Sequence, residues 1–199
     1  MKDGIIKYNC TLINSEPISE LVILELNEWR DKLHKLGLIG EDDEGIGFGN
    51  ISSRVESNNE FIISGSQTGK IRSLKTKDYS HVINYNIDKN SLTCKGKINA
   101  SSESLTHAII YESLTEVKCV VHIHNKVMWE KLLFNEVTTS SESLYGSIEL
   151  ANEIKELIKD IDLDKNKIIV LAGHEDGIFF FGKSISEIGS VILEQIGFN

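Results

Sequence analysis

The sequence predicts an α/β fold of three layers, α/β/α, with a mixed central sheet between helices. Three observations predict it. Strand-like segments run together from 46 to 88, and helical and strand patterns alternate from there to the end of the chain. Two of the later segments, Val117–Ile123 and Ile168–Ala172, are continuous apolar runs of the length of core strands. In chain order, the first helix is expected over Ile18–Leu38. There Leu21, Ile23, Leu24, Leu26, Trp29, Leu33 and Leu36 form a stripe, and Gly37 and Gly40 stop it. The acidic run Glu41–Glu44 reads as a solvated loop without the spacing of a calcium loop. Strands follow around Ile51–Val55, Phe61–Ile63 and Val82–Ile87, with glycine-rich turns at Gly45–Asn50 and Ser64–Gly69. Next come a helix over Ser102–Tyr111, the strand Val117–Ile123, and helices near Asn125–Phe134 and over Ile148–Ile158. The strands Ile168–Ala172 and Gly177–Gly182 and a helix over Ile185–Ile196 complete the chain.

With 199 residues the chain fits one domain, 1–199, able to bury a continuous core. A formal net charge of −9 argues against general nucleic-acid binding, because most of such a surface repels a phosphate backbone. A local anion site built from backbone N–H groups stays open. Cys10, Cys94 and Cys119 are odd in number, far apart and without Cys-x-x-Cys spacing, and read as small hydrophobes. The N-terminal MKDGIIKYNC lacks the apolar core of a signal peptide, and no apolar run is long enough to span a bilayer. A cytoplasmic protein without a membrane partner is expected.

The sharpest local feature is Val120-Val121-His122-Ile123-His124. Residues two apart on a strand share a face, so His122 and His124 project together while Ile123 points to the core. Two histidines alone are better explained by a polar sheet edge. The segment Ile169–His174 delivers a third histidine beyond another buried strand. Three imidazoles with an open fourth position form the pattern of a catalytic zinc site. Manganese, cobalt and iron are also accepted by such a donor set. Glu103 is the candidate acid/base, at a helix start whose dipole favours a carboxylate. Ser101 and Ser102 would present hydroxyls and free N–H groups at the same start, a setting suited to phosphate, and Asn50, Thr68 and Gly69 could add donors. His107, one turn after Glu103, reads as a supporting or packing residue, and His34 and His81 as surface residues.

Taken together, these segments resemble the class II aldolase/adducin family, in order from about Trp29 to Gly182. Gly49–Arg54 is similar to that family's Gly-Asn-x-Ser-x-Arg phosphate turn, Thr68-Gly69 to its second phosphate turn, and Ser101-Ser102-Glu103 to its Ser-Ser-Glu segment. His122, His124 and His174 resemble its metal ligands. The resemblance implies a homotetramer with sites between subunits, and a zinc ion chelating the hydroxy-carbonyl end of a small sugar phosphate. It implies a lyase in which Glu103 moves a proton at an enediolate carbon, with Tyr145 as candidate proton donor. An epimerase, a dehydratase or a non-catalytic adducin-like scaffold are the alternatives. The sequence departs from the pattern in three places: Glu175-Asp176 follow the third histidine where a glycine is usual, Gly47 replaces a hydroxyl, and Ala100 replaces a proline.

Overall fold

In the computed structural model, which describes residues 5–55, 59–159 and 161–197, the central sheet contains nine strands. They are β1 (Asn9–Asn14), β4 (Asn50–Arg54), β5 (Phe61–Ser64), β6 (Tyr79–Asn86), β7 (Ser91–Gly96), β8 (Cys119–His124), β9 (Val137–Thr138), β10 (Ile168–Val170) and β11 (Gly177–Gly182). The short pair β2 (Gly40–Glu41) and β3 (Gly47–Phe48) stands apart. The order across the sheet is β1-β7-β6-β5-β4-β8-β11-β10-β9. The two outer pairs are parallel and the inner ones antiparallel, so the sheet is mixed as expected.

Strand β8 lies near the middle, and its alternation decides the layering. Val120 joins one apolar core with Phe179 and Phe181 of β11, while Val121 and Ile123 join the other with Ile178 and Phe180. Helices α2 (Ser104–Ser113) and α4 (Ile148–Leu157) cover the first face through Ala108, Ile109, Leu150 and Ile154. Helices α1 (Glu20–Lys35) and α5 (Ile185–Gln195) cover the second through Ile23, Leu26, Ile188 and Ile192, with α3 (Lys126–Leu132) beside them. Close approach of α1 and α5 depends on Gly189, where a Cβ would stand 2.1 Å from the Trp29 ring. The helix starts have local causes. The side chains of Asn125, Ser147 and Ser184 accept from the N–H of Met128 at 2.8 Å, Leu150 at 3.1 Å and Glu187 at 3.1 Å.

Several elements differ from the sequence expectation. The strands β1 and β7, and the two-residue β9, were not anticipated. The acidic segment is a hairpin tip rather than a plain loop: the Asp42 carboxylate accepts from the N–H of Glu44 and Ile46 at 2.9 and 2.8 Å. The strand expected over Ile168–Ala172 ends at Val170, because the chain turns at Leu171 to reach β11. Helix α2 starts at Ser104, two residues later than expected.

Candidate active site

The site forms where β8 ends. His122 and His124 share one face of the strand. His174 comes from the 171–176 connection between β10 and β11, whose ends are tied by Gly177 N–H to His174 O and Leu171 N–H to Gly177 O, both at 3.0 Å. Because β11 pairs Gly177 opposite His124, this tie lays the His174 ring beside the other two. A side chain at 177 would crowd it, since a Cβ there would stand 3.1 Å from the ring. Each imidazole offers one nitrogen, and the three atoms lie within 4.8 Å of one another. The Nε2 atoms of His122 and His124 are 3.1 Å apart. Metal–nitrogen bonds of about 2.0–2.1 Å in a tetrahedron place ligand nitrogens roughly 3.3 Å apart, so the donor set fits a divalent cation after small shifts.

Burial keeps His122 in the ligand form. Desolvation first, then His124, His174 and His107, hold its pKa well below the usual imidazole range, so the ring is neutral. Its Nδ1–H donates to the Ile178 carbonyl at 3.2 Å, which leaves the Nε2 lone pair facing the cluster.

Glu103 sits at the N-cap of α2, yet its carboxylate makes no capping bond and turns to the sheet instead. Oε2 accepts from Asn50 Nδ2 at 2.8 Å and lies 3.1 Å from His122 Nε2, while Oε1 is 3.7 Å from His174 Nδ1. Register explains the meeting: Asn50 on β4 stands directly opposite His122 on β8. The carboxylate therefore closes the fourth side of the histidine cluster, and it is only 4% exposed.

Asn50, Thr68, Gly69, Ser101 and Ser102 all line one narrow cleft beside Glu103, so the structure brings these expected residues together. The cleft holds about 10 Å³, the room of a single water molecule and too little for a phosphate group. Thr68 Oγ1 donates to Gly65 O at 2.8 Å, and Gln67 adopts φ +62° within this turn. Beneath it lies Arg30, 1% exposed, which donates to the carbonyls of Thr68 (3.0 Å), Gly69 (2.8 Å) and Arg72 (2.8 Å). Sequence reading missed Arg30. Its signal was a charged residue one helical turn from Leu26 and Leu33, on the apolar stripe of α1.

On its outer side the cluster opens into a cavity of about 910 Å³ lined by His124, His174 and Tyr145. Asp42, Asp43, Glu44, Glu175 and Asp176 stand around it, with Lys126 as the cation among the lining residues. The Glu175-Asp176 insertion thus faces the cavity; Glu175 pairs with Lys126 at 3.2 Å, and burial raises the Asp176 pKa. The Tyr145 ring lies 4.8 Å from that of His174, with Lys7 Nζ 3.6 Å from its centroid. Two other histidines lie elsewhere: His34 on α1, and His81 on β6, 2.8 Å from Glu60.

The family described as Class II Aldolase and Adducin N-terminal domain matches residues 43–193. The chain belongs to this family. No curated protein sequence matches this class II aldolase/adducin family member. Among solved structures, an L-fuculose 1-phosphate aldolase aligns with a TM-score of 0.65 at 20% identity, over 90% of this chain and 83% of its own. A sugar-phosphate aldolase from Thermotoga maritima aligns with a TM-score of 0.62 at 14% identity, over 90% and 97%. An L-fuculose 1-phosphate aldolase from Glaciozyma antarctica PI12 gives 0.54 at 18% identity, over 90% and 74%. These likenesses establish the shared fold of the class II aldolase/adducin chain. Among its described residues, no helix is long and apolar enough to cross a membrane.

Proposed function

We propose that this protein is a metal-dependent class II aldolase-type lyase, which cleaves or forms a carbon–carbon bond in a small phosphorylated sugar. The observation that carries the reading is the meeting of three imidazole nitrogens with the Glu103 carboxylate at the end of β8. His122, His124 and His174 would hold the cation, either zinc or manganese, cobalt or iron. When bound, it supplies Lewis-acid polarisation of the substrate's hydroxy-carbonyl oxygens.

The remaining work falls to the chain. Glu103 gives a proton to the carbon that keeps the electron pair of the broken bond, and takes it back in the synthetic direction. Its place between Asn50 and the histidines fixes the carboxylate for that transfer. Asn50, Thr68, Gly69, Ser101 and Ser102 bind the phosphate once the 65–69 turn moves outward, through backbone N–H groups and hydroxyls at the start of α2. Tyr145, beside His174, is the proposed proton carrier for the oxygen of the departing aldehyde. A cyclic homotetramer and a reducing, cytoplasmic setting complete the proposal.

The test is an assay of metal-loaded protein with a panel of ketose 1-phosphates, followed for dihydroxyacetone phosphate release. Release from at least one member is expected. No release across a broad panel removes the aldolase reading and transfers the same platform to epimerase or dehydratase assays. A protein that binds no divalent metal under any reconstitution removes the enzyme reading in favour of a scaffold.

A further inference from the structure

A buried chain of hydrogen bonds ends on Glu103, and each of its atoms has only one role open to it. The Asn50 amide nitrogen donates to Glu103 Oε2 at 2.8 Å. That turns Asn50 Oδ1, an acceptor, toward His107 Nε2 at 2.6 Å, and Nε2 must carry the hydrogen. A neutral His107 then has its lone pair on Nδ1, 2.7 Å from Ser52 Oγ, which must donate. Ser52 Oγ in turn accepts from the Tyr111 hydroxyl at 2.7 Å. Both rings stay in the required forms. His107 is completely buried and its pKa is pushed down to about 3 by desolvation, and burial raises that of Tyr111 well above its usual value. The donors therefore point one way along the relay, from Tyr111 through Ser52, His107 and Asn50 to the carboxylate.

The sequence arranges this economically. Asn50 and Ser52 are two apart on β4 and share a face, and His107 and Tyr111 are four apart on α2. Phe179 presents an edge-on contact to His107 at 5.4 Å between centroids and stacks under His122 at 4.5 Å, walling the relay from solvent.

We infer that His107 is a positioning residue: through Asn50 it fixes the orientation of the Glu103 carboxylate and reserves the second Asn50 N–H for the substrate cleft. The claim rests on the catalytic reading of Glu103 for its kinetic consequence, but its structural content is separable.

Two measurements test it. In metal-loaded protein, nitrogen NMR of the His107 ring reads the tautomer without reference to activity. A single Nε2–H form is expected, and an Nδ1–H form or a mixture overturns the relay. In kinetics, His107→Leu is expected to lower kcat by about 10–100-fold, with metal content unchanged and KM within about threefold of the parent. His107→Gln, which keeps a donor toward Asn50, is expected to recover most of that loss. The double variant His107→Leu/Asn50→Ala should be no slower than Asn50→Ala alone, because the ring acts through the amide. Losses that multiply in the double variant, or a His107→Leu enzyme with unaltered kcat, overturn the assignment. If the parent protein turns over none of the sugar phosphates, the catalytic reading fails, and the tautomer measurement alone decides the relay.

Discussion

Replacing Arg30 with methionine keeps most of the side-chain volume and removes the guanidinium hydrogen bonds to the 68–72 segment. The carbonyls of Gly69 and Arg72 lose the guanidinium at once, and that of Thr68 keeps the Ile71 N–H at 3.0 Å, in a place the guanidinium fills almost without exposure. A hydrogen bond from a charged donor is worth about 1.5–3 kcal/mol, and a buried carbonyl left unpaired costs about 1–3 kcal/mol. Against this, the variant no longer buries a cation, whose desolvation costs several kcal/mol. Burial does lower the Arg30 pKa, and Asp31, at 3.7 Å and partly exposed, compensates little. The balance is a loss of about 3 kcal/mol, a large share of a typical stability of about 5–15 kcal/mol. Urea unfolding of metal-free protein reads it as a lower midpoint at constant slope. Arg30→Lys, with one compact ammonium in place of a planar fork, should recover less than half. A methionine variant within about 1 kcal/mol of the parent would refute the reasoning, as would a lysine variant indistinguishable from it.

Further expectations concern the histidine cluster. His122→Ala or His174→Ala should abolish metal loading, read by elemental analysis, while circular dichroism shows the fold retained; stoichiometric metal in either variant would dismiss the ligand assignment. Glu103→Gln should keep its metal and lose about 10²–10⁴-fold in turnover, and normal turnover would remove its role. Acid should destabilise the metal-free protein in a definite window. The folded pKa of His107 is about 3, below the unfolded value, so the unfolded state binds the proton first. The stability this ring contributes is complete above about pH 6.5 and falls by about 1.4 kcal/mol per unit as pH drops from there toward 3. His122 acts in the same direction. His107→Gln should show a shallower decline in urea midpoint between pH 6 and 4; parallel curves for variant and parent would contradict this.

The sequence showed much of the fold because its strongest signals are tertiary as well as local. The continuous apolar run before His122 could only be an interior strand, and the amphipathic stretches at 18–38, 148–158 and 185–196 could only be surface helices. Strand β1 escaped because it is an exposed edge, where Thr11, Leu12, Ile13 and Asn14 show no buried face to set a period of two. Strand β7 escaped because its inward positions, Leu92, Cys94 and Gly96, are few and differ in size. The site residues were legible as a set, since residues two apart on β8 must share a face. His174 was expected with them as a third histidine beyond a second buried strand, while the pairing that brings it there, of β11 with both β10 and β8, is fixed only by the sheet. Arg30 under the 65–69 turn went unread although it falls on the apolar stripe of α1 between Leu26 and Leu33, because the carbonyls it serves are 38 or more residues away in sequence.

The ring of carboxylates around the outer cavity sets how charged molecules reach the centre. Small cations are concentrated there, which would help loading of the proposed metal, whereas a sugar phosphate of the proposed kind would approach against the field of Asp42, Asp43, Glu44, Glu175 and Asp176. Dissolved salt, with a screening length of about 10 Å at 0.1 M, should therefore speed capture of such a substrate, so that kcat/KM rises with ionic strength. A kcat/KM that does not change with salt would mean that the incoming molecule carries no net charge, and a decline that the site attracts it.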